Sequence, residues 1–224
     1  MMMMMKFNPK ITKEEVNLLD LTEFEGKIIL VDKPSQVDNA VSFLKTQQLV
    51  GVDTETRPAF KRGVHYKVSL MQISTEEVCF LFRLNKIGFP QELLDFLSDT
   101  SVKKIGLSLH DDFKSLNKRH KINPGNFIDI QTIAKEYGIL ELGLQKIYAV
   151  IFGKKISKAQ RLTNWESDFL TESQKRYAAT DAWACLKIYN QLMLEKKLTR
   201  KEVQALIALF SRPIETNLPK PYSN

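Results

Sequence analysis

The apolar positions of the chain fall into short runs separated by segments with helical spacing. Runs that are rich in β-branched and aromatic residues are typical of strands. The segments that predict strands are residues 28–31, 49–52, 68–74, 78–84, 103–107 and 127–129. Only Thr75, Glu76 and Glu77 separate the third run from the fourth, so these two strands are expected to form a hairpin.

Apolar residues that recur at helical spacing predict helices between the strands. Val37, Ala40, Val41 and Leu44 follow this spacing after a turn at residues 33–35. Further helices are predicted at 90–97 and 111–119, and the chain from 129 to 194 is mainly helical. Strands that first form a hairpin and then alternate with helices predict an α/β fold, with three layers around a mixed central sheet.

The same pattern predicts three segments. Residues 1–25 are expected to be a leader without function, opening with five methionines, and a short helix or extended arm from residue 11. Residues 26–198 would form the folded domain, and residues 199–224 a C-terminal helix and tail. Val203, Leu206, Ile207 and Phe210 share one face of that helix. This face would either pack on the domain or dock a partner.

Composition narrows the class of protein. The chain is 43% hydrophobic and 26% charged, as an ordinary globular protein is. Its net charge of +7 is compatible with a polyanionic partner but does not establish one. No apolar run approaches the roughly 20 residues that span a bilayer, which excludes an integral membrane protein. Cys79 and Cys185 lie in apolar stretches and are expected to be reduced core residues of a cytoplasmic protein.

Two acidic residues follow a strand that should be central. Asp53 and Glu55 are two residues apart, so on an extended strand they share a face, with about 6–7 Å between them. They stand at the carboxyl end of the strand, where open α/β sheets place their ligands. Like charges on a nearly buried face repel each other unless a cation lies between them. The alternative is a solvated loop in which residues 53–56 cap the strand.

Asp181 is a third acid on an apolar face. Thr171 and Gln174 form a capping-box pattern that predicts a helix start. On this helix Asp181 lies in the middle of the apolar stripe, and Tyr177 lies on the same face one turn earlier. An unpaired acid there is unfavourable, and no arginine shares the stripe. Metal ligation is therefore the stronger interpretation.

Asp111 and Asp112 point in different directions on their predicted helix. Asp112 projects with Leu116 toward the sheet, whereas Asp111 lies on the side of Lys114 and Lys118. We therefore expect Asp112 to be the ligand and keep Asp111 as the alternative. Oxygen donors without Cys or His are typical of Mg²⁺ or Mn²⁺, and carboxylates that converge at a sheet edge in a basic protein suggest two-metal phosphodiester chemistry.

Three motifs carry a family resemblance. They are Val-Asp-Thr-Glu-Thr at 52–56, Gly-Leu-Ser-Leu-His-Asp-Asp at 106–112 and Tyr-Ala-Ala-Thr-Asp-Ala at 177–182. They resemble the motifs of the DEDD superfamily of 3′-5′ exonucleases in its tyrosine subtype, which includes ribonuclease D and the exonuclease domain of Werner syndrome helicase. The similarity runs from about residue 50 to 192 and includes residues 70–73 and 164–165. Arg176 stands where the histidine subtype has its histidine.

The resemblance implies a ribonuclease H-like fold and a 3′-5′ exonuclease that releases nucleoside 5′-monophosphates from single-stranded or 3′-recessed DNA or RNA. By resemblance, Asp53 would bridge two divalent cations, Mg²⁺ or Mn²⁺, and no organic cofactor is expected. Glu55 and Asp181 would complete the first site, and Asp112 would serve the second. Tyr177 would position the attacking water. The resemblance stops before the helical domains of ribonuclease D, so a stand-alone nuclease domain is expected.

Basic residues near the motifs are candidates for contacts with phosphate, which depend on salt and not on sequence. They are Arg57, Lys61, Arg62, Lys67, Lys154, Lys155, Lys158 and Arg161. Phe60 and Trp165 are candidates for stacking on terminal bases, with a core role as the alternative for Trp165. The competing functions are a catalytically inactive nucleic-acid-binding module of the same fold and a protein-interaction scaffold that uses the C-terminal helix.

Overall fold

The computed structural model describes residues 6–211. Its strands are β1 (Lys27–Val31), β2 (Leu49–Thr56), β3 (Val68–Ser74), β4 (Val78–Phe82), β5 (Lys103–Gly106) and β6 (Phe127–Asp129). Its helices are α1 (Lys13–Leu18), α2 (Val37–Lys45), α3 (Leu84–Ile87), α4 (Gln91–Ser98), α5 (Leu109–Leu116), α6 (Ile130–Ala134), α7 (Leu144–Phe152), α8 (Glu172–Met193) and α9 (Arg200–Phe210). Short 3₁₀ turns occupy Pro34–Gln36 and Lys135–Tyr137.

The six strands form one mixed sheet in the order β1-β4-β3-β2-β5-β6. β3 pairs antiparallel with both β2 and β4, and the predicted hairpin between β3 and β4 is confirmed. β1 runs parallel to β4, and β5 runs parallel to both β2 and β6. β2 is therefore a central strand, paired along both of its edges.

Helices cover both faces of the sheet, as the alternation of elements predicts. One apolar core lies under α2, α4 and α5 and includes Leu44, Leu93 and Leu116. The other face is covered by α6, α7 and α8, which contribute Ile130, Ile147 and Ile188. α8 begins at the predicted capping box of Thr171 and Gln174. Within residues 6–211 no helix combines the length and the apolar character needed to cross a membrane.

Three predicted elements have bounds that were wrong by two residues or more. β2 does not end at residue 52 but continues through Thr56, because Asp53 and Glu55 pair with β3 and their backbone groups are satisfied in the sheet. β4 ends at Phe82, because the Arg83 carbonyl accepts hydrogen bonds from the backbone N–H groups of Lys86 and Ile87 and so starts α3. α5 spans Leu109–Leu116 instead of 111–119.

The terminal segments pack on the domain as far as they are described. α1 lies in the predicted N-terminal arm, and Phe7, Val16 and Phe24 of this arm are buried. α9 begins at a capping box and buries Leu206, whereas Ile207 and Phe210 of its predicted apolar face are exposed. The methionine run and the tail from residue 212 lie outside the described residues. Cys79 and Cys185 are free and buried, as predicted.

Candidate active site

Three carboxylates from two elements meet at one point. Asp53 and Glu55 project from the same face of β2, and α8 brings Asp181 onto that face. An oxygen of each carboxylate lies within 4.8 Å of the other two. Glu55 and Asp181 are only 8% and 7% exposed, so little water screens their charges. A bound divalent cation explains these short distances between oxygen donors better than three unpaired carboxylates do.

The cluster lies where β2 departs from regular pairing. The β2–β3 register shifts between Glu55 and Thr56, because Ser69 of β3 is an extra residue opposite this step, as in a bulge. Bulges redirect side chains and are common beside active sites. The strand continues through Asp53 and Glu55, so both carboxylates stand on a backbone held by the sheet. The capping-loop alternative for residues 53–56 is therefore wrong.

Asp112 approaches the cluster from the helix that follows β5. It accepts a hydrogen bond of 2.7 Å from the Thr54 hydroxyl, and its charge raises the pKa of Asp53 and of Glu55. Asp111 is exposed on the outer side of α5. The structure therefore brings Asp112 to the other acids and leaves Asp111 in solvent.

Asp129 is a residue of this region that the sequence reasoning did not single out. Its carboxylate accepts from the backbone N–H groups of Ser108 at 3.2 Å and Leu109 at 2.8 Å, at the start of α5. It also accepts from Gln131 at the start of α6. Ser108 is in the left-handed region with φ 59°, which this contact helps to hold. The feature of the sequence that could have indicated Asp129 is its position at the carboxyl end of β6.

Burial raises the pKa values of all four acids, and repulsion by the other acids of the cluster adds to the rise at Asp53 and Glu55. Burial and the charges of Asp181 and Asp112 raise the pKa of Asp53 well above its usual range. Burial, followed by the neighbouring acids, raises the pKa of Glu55 to about 10. Burial raises the pKa of Asp181 to about 7 and that of Asp112 to about 6. The ionised cluster is thus unfavourable alone, and bound cations would relieve it.

Tyr177 lies beside Asp181 on the same face of α8 and is 7% exposed. Burial raises the pKa of its hydroxyl, and the nearby Asp181 and Glu55 carboxylates raise it further. The hydroxyl therefore keeps its proton at neutral pH. A protonated hydroxyl can donate a hydrogen bond or orient a water molecule, but it is not a strong base.

Two of the basic candidates act directly on the acids. The Arg161 guanidinium opposes the rise in the pKa of Glu55, and the Lys158 ammonium opposes that of Asp181. Arg57 is 3.5 Å from Glu166 and stacks over Tyr66, 4.6 Å from the ring centre. Four further candidates have exposed side chains. They are Lys61, Arg62, Lys67 and Lys154.

Lys155 has a different contact from the one predicted. Its Nζ donates to the backbone carbonyl of Asn17 at 2.5 Å, and its backbone pairs with Leu21. The ammonium thus helps to hold the N-terminal arm on the domain. A phosphate contact by Lys155 stays a prediction.

An open groove of about 600 Å³ lies beside the loop that follows β2. Its walls include Arg57, Phe60, Lys61, Val64, Tyr66 and Leu162. Phe60 is 80% exposed and is free to contact a base. Trp165 is fully buried, with its ring 6.0 Å from that of Tyr177, so the core alternative for Trp165 is correct and the stacking role is wrong.

Comparisons with known proteins agree with this geometry. A family model described as 3′-5′ exonuclease matches residues 28–197. The bifunctional 3′-5′ exonuclease/ATP-dependent helicase WRN of Mus musculus is 32% identical over 184 residues, covering 78% of this chain and 13% of that protein. A 3′-5′ exonuclease of Arabidopsis thaliana is 29% identical over 185 residues, covering 75% of this chain and 64% of that protein. The chain therefore spans less than two thirds of each relative.

A solved structure shows the same fold. The Aedes aegypti Nibbler EXO domain matches with a TM-score of 0.71 at 20% identity, covering 83% of this chain and 99% of that chain. Together with the mixed six-stranded sheet and its flanking helices, this match confirms the predicted α/β, ribonuclease H-like fold.

Proposed function

The chain belongs to the 3′-5′ exonuclease family, and we propose that it removes nucleotides one at a time from the 3′ end of a nucleic acid. The observation that carries the proposal is the convergence of Asp53, Glu55 and Asp181 within 4.8 Å, with Asp112 acting on the same group. These acids come from β2, α5 and α8, which are far apart in the chain. A structural role alone gives no reason to gather four carboxylates in one largely buried place.

Two divalent cations fit these residues. Asp53, Glu55 and Asp181 would hold one cation, and Asp53 and Asp112 the other. Hard oxygen donors favour Mg²⁺ or Mn²⁺ over softer metals. Two such cations, when bound, stabilise the charge that develops on the attacking and leaving oxygens of a phosphodiester.

Tyr177 would orient the attacking water through its hydroxyl. The water oxygen forms a bond to the terminal phosphorus, while the bond from phosphorus to the 3′ oxygen of the preceding nucleotide breaks. The proton lost by the water goes to solvent, and the new 3′ hydroxyl takes up a proton. The product is a nucleoside 5′-monophosphate and a strand shortened by one nucleotide.

The positive charges beside the acids would hold the substrate backbone. Lys158 and Arg161 act on the acid cluster, and Arg57, Lys61 and Arg62 lie along or next to the groove. Phosphate contacts fix the position of a strand without reading its sequence. The exposed Phe60 offers a surface on which a terminal base can stack. Such a groove suits a single-stranded or 3′-recessed end of DNA or RNA.

A labelled-strand assay tests the proposal. Single-stranded DNA and RNA of one sequence, labelled at the 5′ end, are incubated with the protein in EDTA, Mg²⁺ or Mn²⁺. We expect a ladder that shortens by single nucleotides with a metal and intact strands in EDTA. The Asp181→Asn variant is the matched control and should leave the strands intact. Strands that are bound but never cut under any metal condition would overturn the proposal in favour of an inactive binding module.

A further inference from the structure

Gln72 is a buried polar side chain without a partner. It lies in the middle of β3 and is fully buried. Neither its Oε1 nor its Nε2 makes a hydrogen bond to any residue from 6 to 211. Buried side-chain amides are normally hydrogen-bonded, so a native sequence that keeps such a group calls for an explanation.

The place of Gln72 in the sheet suggests that explanation. It is the direct cross-strand partner of Asp53 in the antiparallel pair of β2 and β3. Partners of this kind point to the same face, with their Cβ atoms roughly 4.5–5.5 Å apart. On its other side Gln72 pairs with Leu81, which is buried and apolar and offers no side-chain hydrogen bond. The amide is therefore within reach of the Asp53 carboxylate.

Metal-ligating carboxylates are usually held in turn by hydrogen bonds from neighbouring groups. Asp112 already has such a partner, because the Thr54 hydroxyl donates to it at 2.7 Å. Asp53, which would contact both cations, needs its orientation fixed most strictly. Gln72 can supply that restraint, since its Nε2 has two hydrogens to donate and no competing acceptor among the described residues.

We propose that Gln72 is a positioning residue of the metal site and that its Nε2 donates a hydrogen bond to the Asp53 carboxylate when divalent cations are bound. This inference rests on the proposed function. Gln72 touches neither the substrate nor the cations. It acts by restricting the orientation in which the Asp53 carboxylate meets both ions.

The test measures Mn²⁺ binding by calorimetry, in metal-stripped wild-type protein and in the variants Gln72→Leu and Gln72→Met. Both replacements have a similar size and no polar atoms to donate. We expect the affinity for Mn²⁺ to fall about 10- to 100-fold, the usual effect of removing a group that supports a ligand. We expect the melting temperature without metal to stay unchanged or rise, because a buried unpaired amide is removed.

Ser74→Ala is the matched control. Ser74 is fully buried on the same strand and face as Gln72. Its cross-strand partner is Gly51, which lies two residues before Asp53 on β2. This variant should bind Mn²⁺ as the wild type does. Equal affinity in the wild type and both Gln72 variants would overturn the inference alone, as would an equal loss in Ser74→Ala. A wild-type protein that binds no Mn²⁺ would overturn the proposed function and this inference together.

Discussion

Gly51 of β2 and Ala182 of α8 are in direct backbone contact. A Cβ atom added to Gly51 would lie 1.9 Å from the carbonyl oxygen of Ala182. Ala178, Ala179 and Ala182 are all fully buried, so α8 meets the sheet through its smallest side chains. This close approach brings Asp181, the residue before Ala182, within reach of Asp53 and Glu55.

Gly51→Ala should therefore disturb the arrangement of the acids, although residue 51 is not one of them. The new methyl group must push α8 away from β2, and a shift of about 1 Å can cost on the order of 100-fold in rate. We expect a loss of that size together with a lower melting temperature. The control is Gly143→Ala, because a Cβ at Gly143 meets nothing within 4 Å. Wild-type rates in Gly51→Ala would show that the approach of α8 does not set the site geometry.

Asp112→Asn and Asp111→Asn separate two adjacent acids. Asparagine can still accept the hydrogen bond from Thr54, so the fold should persist, but it is a poor ligand. A catalytic cation contributes several kcal/mol to the transition state. Since ~1.4 kcal/mol is tenfold in rate, we expect about a 10³-fold loss for Asp112→Asn and little change for Asp111→Asn. The reverse order in single-turnover rates would assign the ligand to Asp111.

Arg161→Gln should weaken substrate binding more than chemistry. Its charge acts on Glu55 from the edge of the cluster, where a terminal phosphate would lie. We expect KM to rise, kcat to change little, and the slope of log affinity against log salt concentration to fall by about 1. Lys13→Gln, at an exposed position outside the candidate phosphate contacts, is the control for charge alone. A fall in kcat at constant KM would instead indicate a role in the chemical step.

Lys104 is a buried cation away from the acids. Its Nζ donates to the carbonyls of Asp99, Val102 and Gly125 at 2.6, 3.0 and 3.1 Å. Burial lowers its pKa to about 8, and nearby Asp99 opposes the shift. The unfolded chain, with a lysine pKa near 10.4, therefore binds more protons between these values. The contribution of Lys104 to the free energy of unfolding must then rise with pH between these two pKa values and be constant below the lower one.

The measurement for Lys104 is a denaturant titration of wild type and Lys104→Met at several pH values from about 7 to 11. The difference in free energy of unfolding should move in favour of the wild type as pH rises through 8 toward 10. Comparing the two proteins cancels the titration of all other groups that behave alike in both. A difference that does not change with pH, or that comes to favour the variant as pH rises, would show that the three carbonyls keep the Lys104 ammonium protonated.

Much of the fold could be predicted because burial on both sides leaves a strong mark on sequence. All seven residues of β3 are buried, and its apolar run predicted the strand to the residue. The end of β2 could not be predicted in this way. Residues 53–56 are polar, and only their pairing with β3, a contact between distant segments, keeps them in the sheet.

The acids of the site could be predicted for a related reason. Asp181 on an apolar helical stripe is unfavourable unless something binds it, and that conflict is visible in the sequence. Asp129 and Gln72 show no such conflict. Their roles depend on which strand end and which cross-strand partner lie beside them. Trp165 could not be assigned either, since an aromatic residue suits a core as well as a binding surface.

The central claim is that four acids from β2, α5 and α8 hold two divalent cations. An anomalous difference map from crystals soaked in Mn²⁺ and a nucleoside 5′-monophosphate measures this directly. We predict two peaks about 3.5–4 Å apart, one in contact with Asp53, Glu55 and Asp181 and the other with Asp53 and Asp112. A map with no peak at these carboxylates, or with manganese bound elsewhere on the domain, would contradict the account.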